Sequence, residues 1–121
     1  MEKDVSIKIE KEQVEAGESL NGVVGINYSG RFDSVVINSQ IENSSAVFEY
    51  TNLNGKKINH PYARLSLLKQ DIPDVRKVEF TVTTLHIPSK NISNAKLRVS
   101  IIQEHKEVAS DIVYFKIVKA D

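Results

Sequence analysis

Residues 5–28 read VSIKI-EKEQVEAGES-LNGVVGINY, and this stretch decides the fold. Val5, Ile7 and Ile9 alternate with Ser6, Lys8 and Glu10, the period of a strand with one buried face. Ala16-Gly17-Glu18 supplies a reversal, with Gly17 free to take positive φ. Leu20, Gly22, Val24, Ile26 and Tyr28 then alternate again, so two strands joined by a turn are expected to open an antiparallel sheet.

The same alternation recurs to the end of the chain. A turn at Ser29-Gly30-Arg31 leads to a third strand through Val35, Ile37, Ser39 and Ile41, broken by Asn43-Ser44-Ser45. A fourth is expected over Ala46 to Tyr50, and Thr51 to Pro61 reads as a turn or exposed loop. Tyr62 to Leu68 fits a helical turn or a short strand equally well, because a brief apolar run does not settle the period. After the Asp71-Ile72-Pro73-Asp74 loop, Val78, Phe80, Val82 and Thr84 form another strand. Leu85 to Pro88 leaves that strand, and Ser89 to Asn94 makes the connection to the next. Leu97, Val99 and Ile101 share one face of the following strand, and Glu104 to Glu107 reads as a hairpin loop. The last strand is apolar on both faces, with Val108, Ile112 and Tyr114 on one and Val113, Phe115 and Ile117 on the other, as suits a central strand or one covered by a loop. About seven or eight short strands at this spacing predict an all-β, antiparallel immunoglobulin-like sandwich, one domain over residues 1–121. With neither tryptophan nor cysteine, the antibody pattern of Cys, Trp and Cys is excluded.

Composition narrows function mainly by exclusion. The lack of cysteine removes disulfides, thiolate metal sites and cysteine nucleophiles together. The 16 basic and 16 acidic residues cancel, which argues against nucleic acid or an anionic membrane as the partner. The charges are unevenly spread: residues 1–50 carry 4 basic and 9 acidic groups, residues 51–100 carry 9 and 3. No apolar run approaches the roughly 20 residues that span a bilayer. Met1-Glu2-Lys3-Asp4 lacks the basic start and apolar core of a signal peptide, so a cytoplasmic location is expected.

No catalytic constellation is legible, and no cofactor or metal is expected. His60, His86 and His105 are far apart in sequence, without the spacing of a ligand set. There is no Gly-x-Ser-x-Gly elbow, and Gly22 and Gly25 sit inside a strand, where no phosphate cradle forms. A small metal-dependent enzyme using His60 or His86 is the weakest alternative. Lys56-Lys57 and Arg76-Lys77 are the adjacent basic pairs; solvated loop charges explain them, and anion contact is the sharper reading.

Gly17-Glu18-Ser19-Leu20-Asn21-Gly22-Val23-Val24 fits a G-E-x-L-x-G-x-V pattern behind the Val5–Ile9 strand. Val78 to Val82, then Leu85-His86-Ile87-Pro88-Ser89, then Leu97-Arg98-Val99, follows in the same order. In this the chain resembles the arrestin-type β-sandwich lobe of arrestins, the arrestin-fold retromer subunit and bacterial sporulation-control proteins. Those proteins generally carry two lobes, and this chain has room for one. Lys11 matches the first of the basic pair that contacts phosphate in receptor-binding arrestins, but Glu12 stands at the second place. The resemblance implies a non-enzymatic intracellular adaptor or scaffold with a protein partner. A carbohydrate- or surface-binding module is the alternative, disfavoured by 7% aromatics without tryptophan.

Sandwich edges carry unpaired N–H and C=O groups that accept an added strand from a partner or a second copy. The expected edges are Val5, Ile7 and Ile9 in the first strand and Val47, Phe48 and Tyr50 in the fourth. Lys11, Lys56, Lys57, Arg76 and Lys77 are the candidate anion contacts.

Overall fold

The computed structural model describes residues 3–74 and 76–119, which form two packed five-stranded sheets. The strands are β1 (Val5–Ile9), β2 (Gln13–Glu15), β3 (Leu20–Ile26), β4 (Ser34–Ile41), β5 (Glu49–Leu53), β6 (Lys56–His60), β7 (Arg64–Leu68), β8 (Lys77–Thr83), β9 (Ile92–Gln103) and β10 (Lys106–Val118). One sheet runs β1-β3-β8-β5-β6 and the other β2-β10-β9-β4-β7. Every pairing is antiparallel except that of β2 with β10, which is parallel.

The all-β sandwich is as expected, but the ten strands among the described residues exceed the seven or eight read from the sequence. β1 does pair with β3, Ile7 opposite Val24, yet the chain between them first crosses to lay β2 beside β10. Gly17, at φ 83, therefore turns β2 into β3. The supposed loop at Thr51 to Pro61 is a hairpin. Asn54 and Gly55 both take positive φ, 50 and 83, the two-residue turn whose twist matches paired strands. The ambiguous run at Tyr62 to Leu68 resolves as strand β7, with Leu65 buried in the core and Leu67 packed against it while Arg64, Ser66 and Leu68 face out. The β9–β10 turn is tighter than expected, with only Glu104 and His105 between the strands, at φ 49 and 66.

The core lies between the sheets. Leu20, Val24, Val35, Ile37, Phe48, Tyr50, Val78, Val82, Leu97, Val99, Ile101 and Ile117 all project into it and are sealed from solvent. Each such side chain contributes about 2 kcal/mol by leaving water. Gly22 and Phe80 face each other across β3 and β8; a Cβ at position 22 would collide with the Phe80 ring. Glycine there leaves room for the tip of the ring against the strand backbone. Tyr50 pins the layers together: its hydroxyl reaches the Ile37 carbonyl at 3.1 Å and the Ala63 carbonyl at 3.0 Å. Burial raises the pKa of that hydroxyl, which stays a donor.

Candidate interaction edges

Two open sheets leave four terminal strands, β1 and β6 in one sheet and β2 and β7 in the other. They differ in how their outward backbone groups are handled.

β1 is sealed. The Ile7 N–H points away from β3 and donates to Asp111 Oδ2 of β10 at 3.0 Å, while Lys3 Nζ holds Oδ1 at 2.9 Å. The long strand β10 thus reaches across from the opposite sheet and closes this edge with a carboxylate. Burial alone would raise the Asp111 pKa, but Lys3 and the N–H groups of Ile7 and Ile112 outweigh it and hold the carboxyl below its ordinary value. β2 spans three residues, too short to template a partner. β6 carries Lys56 and Lys57 in the open, a charged edge of the kind that discourages pairing.

β7 has no such device along most of its length. Ser39 N–H donates to the Ala63 carbonyl at 3.0 Å, and Lys69 N–H to the Asp33 carbonyl at 2.9 Å. These bonds bracket the ladder with β4 and fix its phase: Leu65 and Leu67 bond inward, and the backbone groups of Arg64, Ser66 and Leu68 turn outward. His60 Nε2 lies 2.6 Å from the Arg64 carbonyl and covers that end. Ser66 and Leu68 face solvent, with Leu68 51% exposed.

The sequence-derived sites fare unevenly. β1 is terminal, but Val5 and Ile7 are core residues and the free side of the strand is occupied by Asp111. The second expected edge is corrected. Strand β5 begins at Glu49, not Ala46, and lies between β8 and β6. Phe48 and Tyr50 are sealed in the core, Phe48 against Phe115 at 5.4 Å, and only Val47 is exposed. The apolar run over Val47 to Tyr50 marks core entry, which alternation alone does not separate from an edge.

The anion-contact residues lie on separate elements. Lys11 pairs with Glu18 at 2.9 Å and Lys77 with Glu79 at 2.8 Å. Lys77 sits opposite Gly25, whereas Lys11 follows the other end of the β1–β3 pair. Arg76 lies in the turn before β8, and Lys56 and Lys57 are on β6. His60 and His86 act as ties: His86 contacts Ser44 Oγ at 3.5 Å and Ser93 Oγ at 3.0 Å. Among the described residues no group of three or more His, Asp or Glu side chains could hold a metal.

Two features escaped the sequence reading. Asp111 interrupts the apolar pattern of β10, and that interruption was the available signal. The other is an apolar surface at the β8–β9 connection, where Leu85 is 84% and Ile87 65% exposed, with Ile92 and Val47 also open. Thr84 Oγ1 bonds the Val47 carbonyl at 3.2 Å, holding the two segments side by side.

No protein-family model matches the sequence, and no curated protein matches it. The fold does recur among solved structures. The Escherichia coli adhesin CfaE is 10% identical with a TM-score of 0.62, over 98% of this chain and 49% of that one. The human F-spondin reeler domain is 11% identical with a TM-score of 0.55, over 97% and 89%. AvmM, which catalyses macrocyclization in alchivemycin A biosynthesis, is 7% identical with a TM-score of 0.56, over 99% and 92%. At such identities these likenesses show the β-sandwich fold alone.

Proposed function

We propose that this chain is a non-enzymatic intracellular interaction module, an adaptor or scaffold on a single arrestin-like lobe, that receives a partner's strand at β7. The carrying observation is the contrast among its four terminal strands: β1 is sealed, β2 is short, β6 is lysine-guarded, and β7 presents Ser66 and Leu68 backbone groups to solvent. An added strand gains main-chain hydrogen bonds there, and the exposed Leu68 side chain supplies an apolar contact. The arrestin-type reading is supported by Gly17 at the β2–β3 turn and by Gly22 beneath Phe80, positions where that pattern has a physical reason for glycine. The adhesin and reeler neighbours accord with a binding role, while AvmM shows that the sandwich also hosts catalysis.

Extended peptides selected from a random display library on the domain test this reading. Binders are expected whose capture is lost on Ser66→Pro, which deletes an outward donor and no ladder bond. Binders that hold equally well to Ser66→Pro would place recognition elsewhere.

A carbohydrate-binding reading also has a specific observation. Tyr114 is 68% exposed and borders a hollow of about 370 Å³ with Gln40, Glu42, Asn94 and Lys96. Its test is a glycan array probed with wild type and Tyr114→Ala.

A further inference from the structure

We infer that the strand received by β7 is β7 of a second copy of this chain, paired antiparallel about a twofold axis through Ser66. This rests on the reading of β7 as an open strand acceptor and adds the identity of the partner.

The phase of the edge supplies the first argument. Arg64, Ser66 and Leu68 turn their backbone groups outward at every second residue, as a hydrogen-bonded antiparallel register requires. A twofold axis through Ser66 sets Ser66 against Ser66 of the partner subunit, and Arg64 against the partner's Leu68. About four N–H···O=C bonds then form across the axis, two between the Ser66 residues and one from each Arg64 N–H, since His60 already holds each Arg64 carbonyl. Each copy supplies what the other lacks, and the two β2-β10-β9-β4-β7 sheets become one continuous sheet.

Side-chain chemistry selects this register and this partner. Arg64, Ser66 and Leu68 share the exposed outer face. In the Ser66-centred register the stem of each Arg64 packs on an exposed leucine, and two small hydroxyls meet on the axis. Moving the axis to Arg64 would set two guanidiniums opposite each other, which is unfavourable. An acidic peptide would gain little, because Arg64 is the one charge within β7 and Lys69, next beyond it, lies over the Phe32 ring. The chain's zero net charge imposes no overall repulsion between copies. A five-residue edge is small, so the dimer is expected to be weak, with dissociation in the range of roughly 10 µM to 1 mM.

The self-opposed position gives the test. Ser66→Lys and Ser66→Glu each place like charges on the twofold axis, about 5.5 Å apart between Cα atoms, while leaving an exposed side chain and every ladder bond in place. Sedimentation velocity is expected to show concentration-dependent dimers for wild type. Each variant alone should associate at least tenfold more weakly, and an equal mixture should recover dimers, since lysine then faces glutamate. Ser66→Pro, checked for native circular dichroism, should also be monomeric. Wild type that stays monomeric throughout, or variants that dimerise like wild type, would overturn the inference. A monomeric wild type whose selected peptides are still lost on Ser66→Pro would refute the second copy while leaving the strand-acceptor reading intact.

Discussion

β1 and β7 are both five-residue terminal strands, and both lay alternate side chains into the same core. What separates them is a single carboxylate. Asp111 reaches out of β10 to take the outward Ile7 N–H and is held there by Lys3. Nothing among the described residues does the same for Ser66. Between these two strands, then, the difference lies in what a neighbouring element offers the outward backbone.

The sharpest way to probe the contrast is to insert proline on the two sides of β7. Leu65→Pro removes a bond to β4 and empties a buried leucine site, with an expected loss of about 4 kcal/mol in urea unfolding. Ser66→Pro, one residue on, should shift stability by less than about 0.5 kcal/mol while abolishing association. Equal losses would mean that the assigned phase of the ladder is wrong.

Breaking the guard at β1 should convert a closed edge into an open one. Asp111→Ala strands the Ile7 N–H and should destabilise by about 2 kcal/mol. It should also add a second, Ser66-independent mode of self-association, measurable by sedimentation in the Ser66→Lys background. A destabilised but strictly monomeric double variant would show that β10 itself, without its carboxylate, still blocks the edge.

Acid should do the same more gently. The Asp111 carboxyl sits below its ordinary value in the fold, so its contribution is complete above about pH 4. It is lost as pH falls through the lowered value. Glu107, held low by Arg98 and then Ser100, adds in the same direction. Asp111→Asn keeps an acceptor for Ile7 but drops the Lys3 pair, so it should cost about 1 kcal/mol at pH 7. It should also flatten the acid limb of stability against pH; a limb as steep as that of wild type would assign the acid sensitivity elsewhere.

The sandwich was legible because alternation at Val5–Ile9, Val35–Ile41, Val78–Val82 and Leu97–Ile101 is local and unbroken. The Asn54-Gly55 pair was equally legible as a hairpin turn, yet the polar residues around it read as loop. Glu104-His105 gives less of a hint, because glutamate rarely takes the positive φ that both adopt; Asp33 Oδ2 helps hold the turn by accepting the Glu104 N–H at 2.7 Å. The open edge was not legible at all. Whether a strand is terminal depends on sheet order, and sheet order is set by pairings between residues far apart in the chain, such as Val36 with Ser66 and Ser100. The run over Val47 to Tyr50 looked like an edge for the same reason, since a strand's apolar content is silent about its neighbours.

Residue-resolved amide hydrogen exchange at two protein concentrations tests the central claim most directly. The Ile7 amide should exchange slowly at both, protected by Asp111. The Ser66 and Leu68 amides should exchange rapidly in dilute solution and slow as the concentration rises, while Leu65 and Leu67 stay protected throughout. Slow exchange of Ser66 and Leu68 in dilute protein, or rates indifferent to concentration, would contradict an open β7 edge that pairs with its own copy.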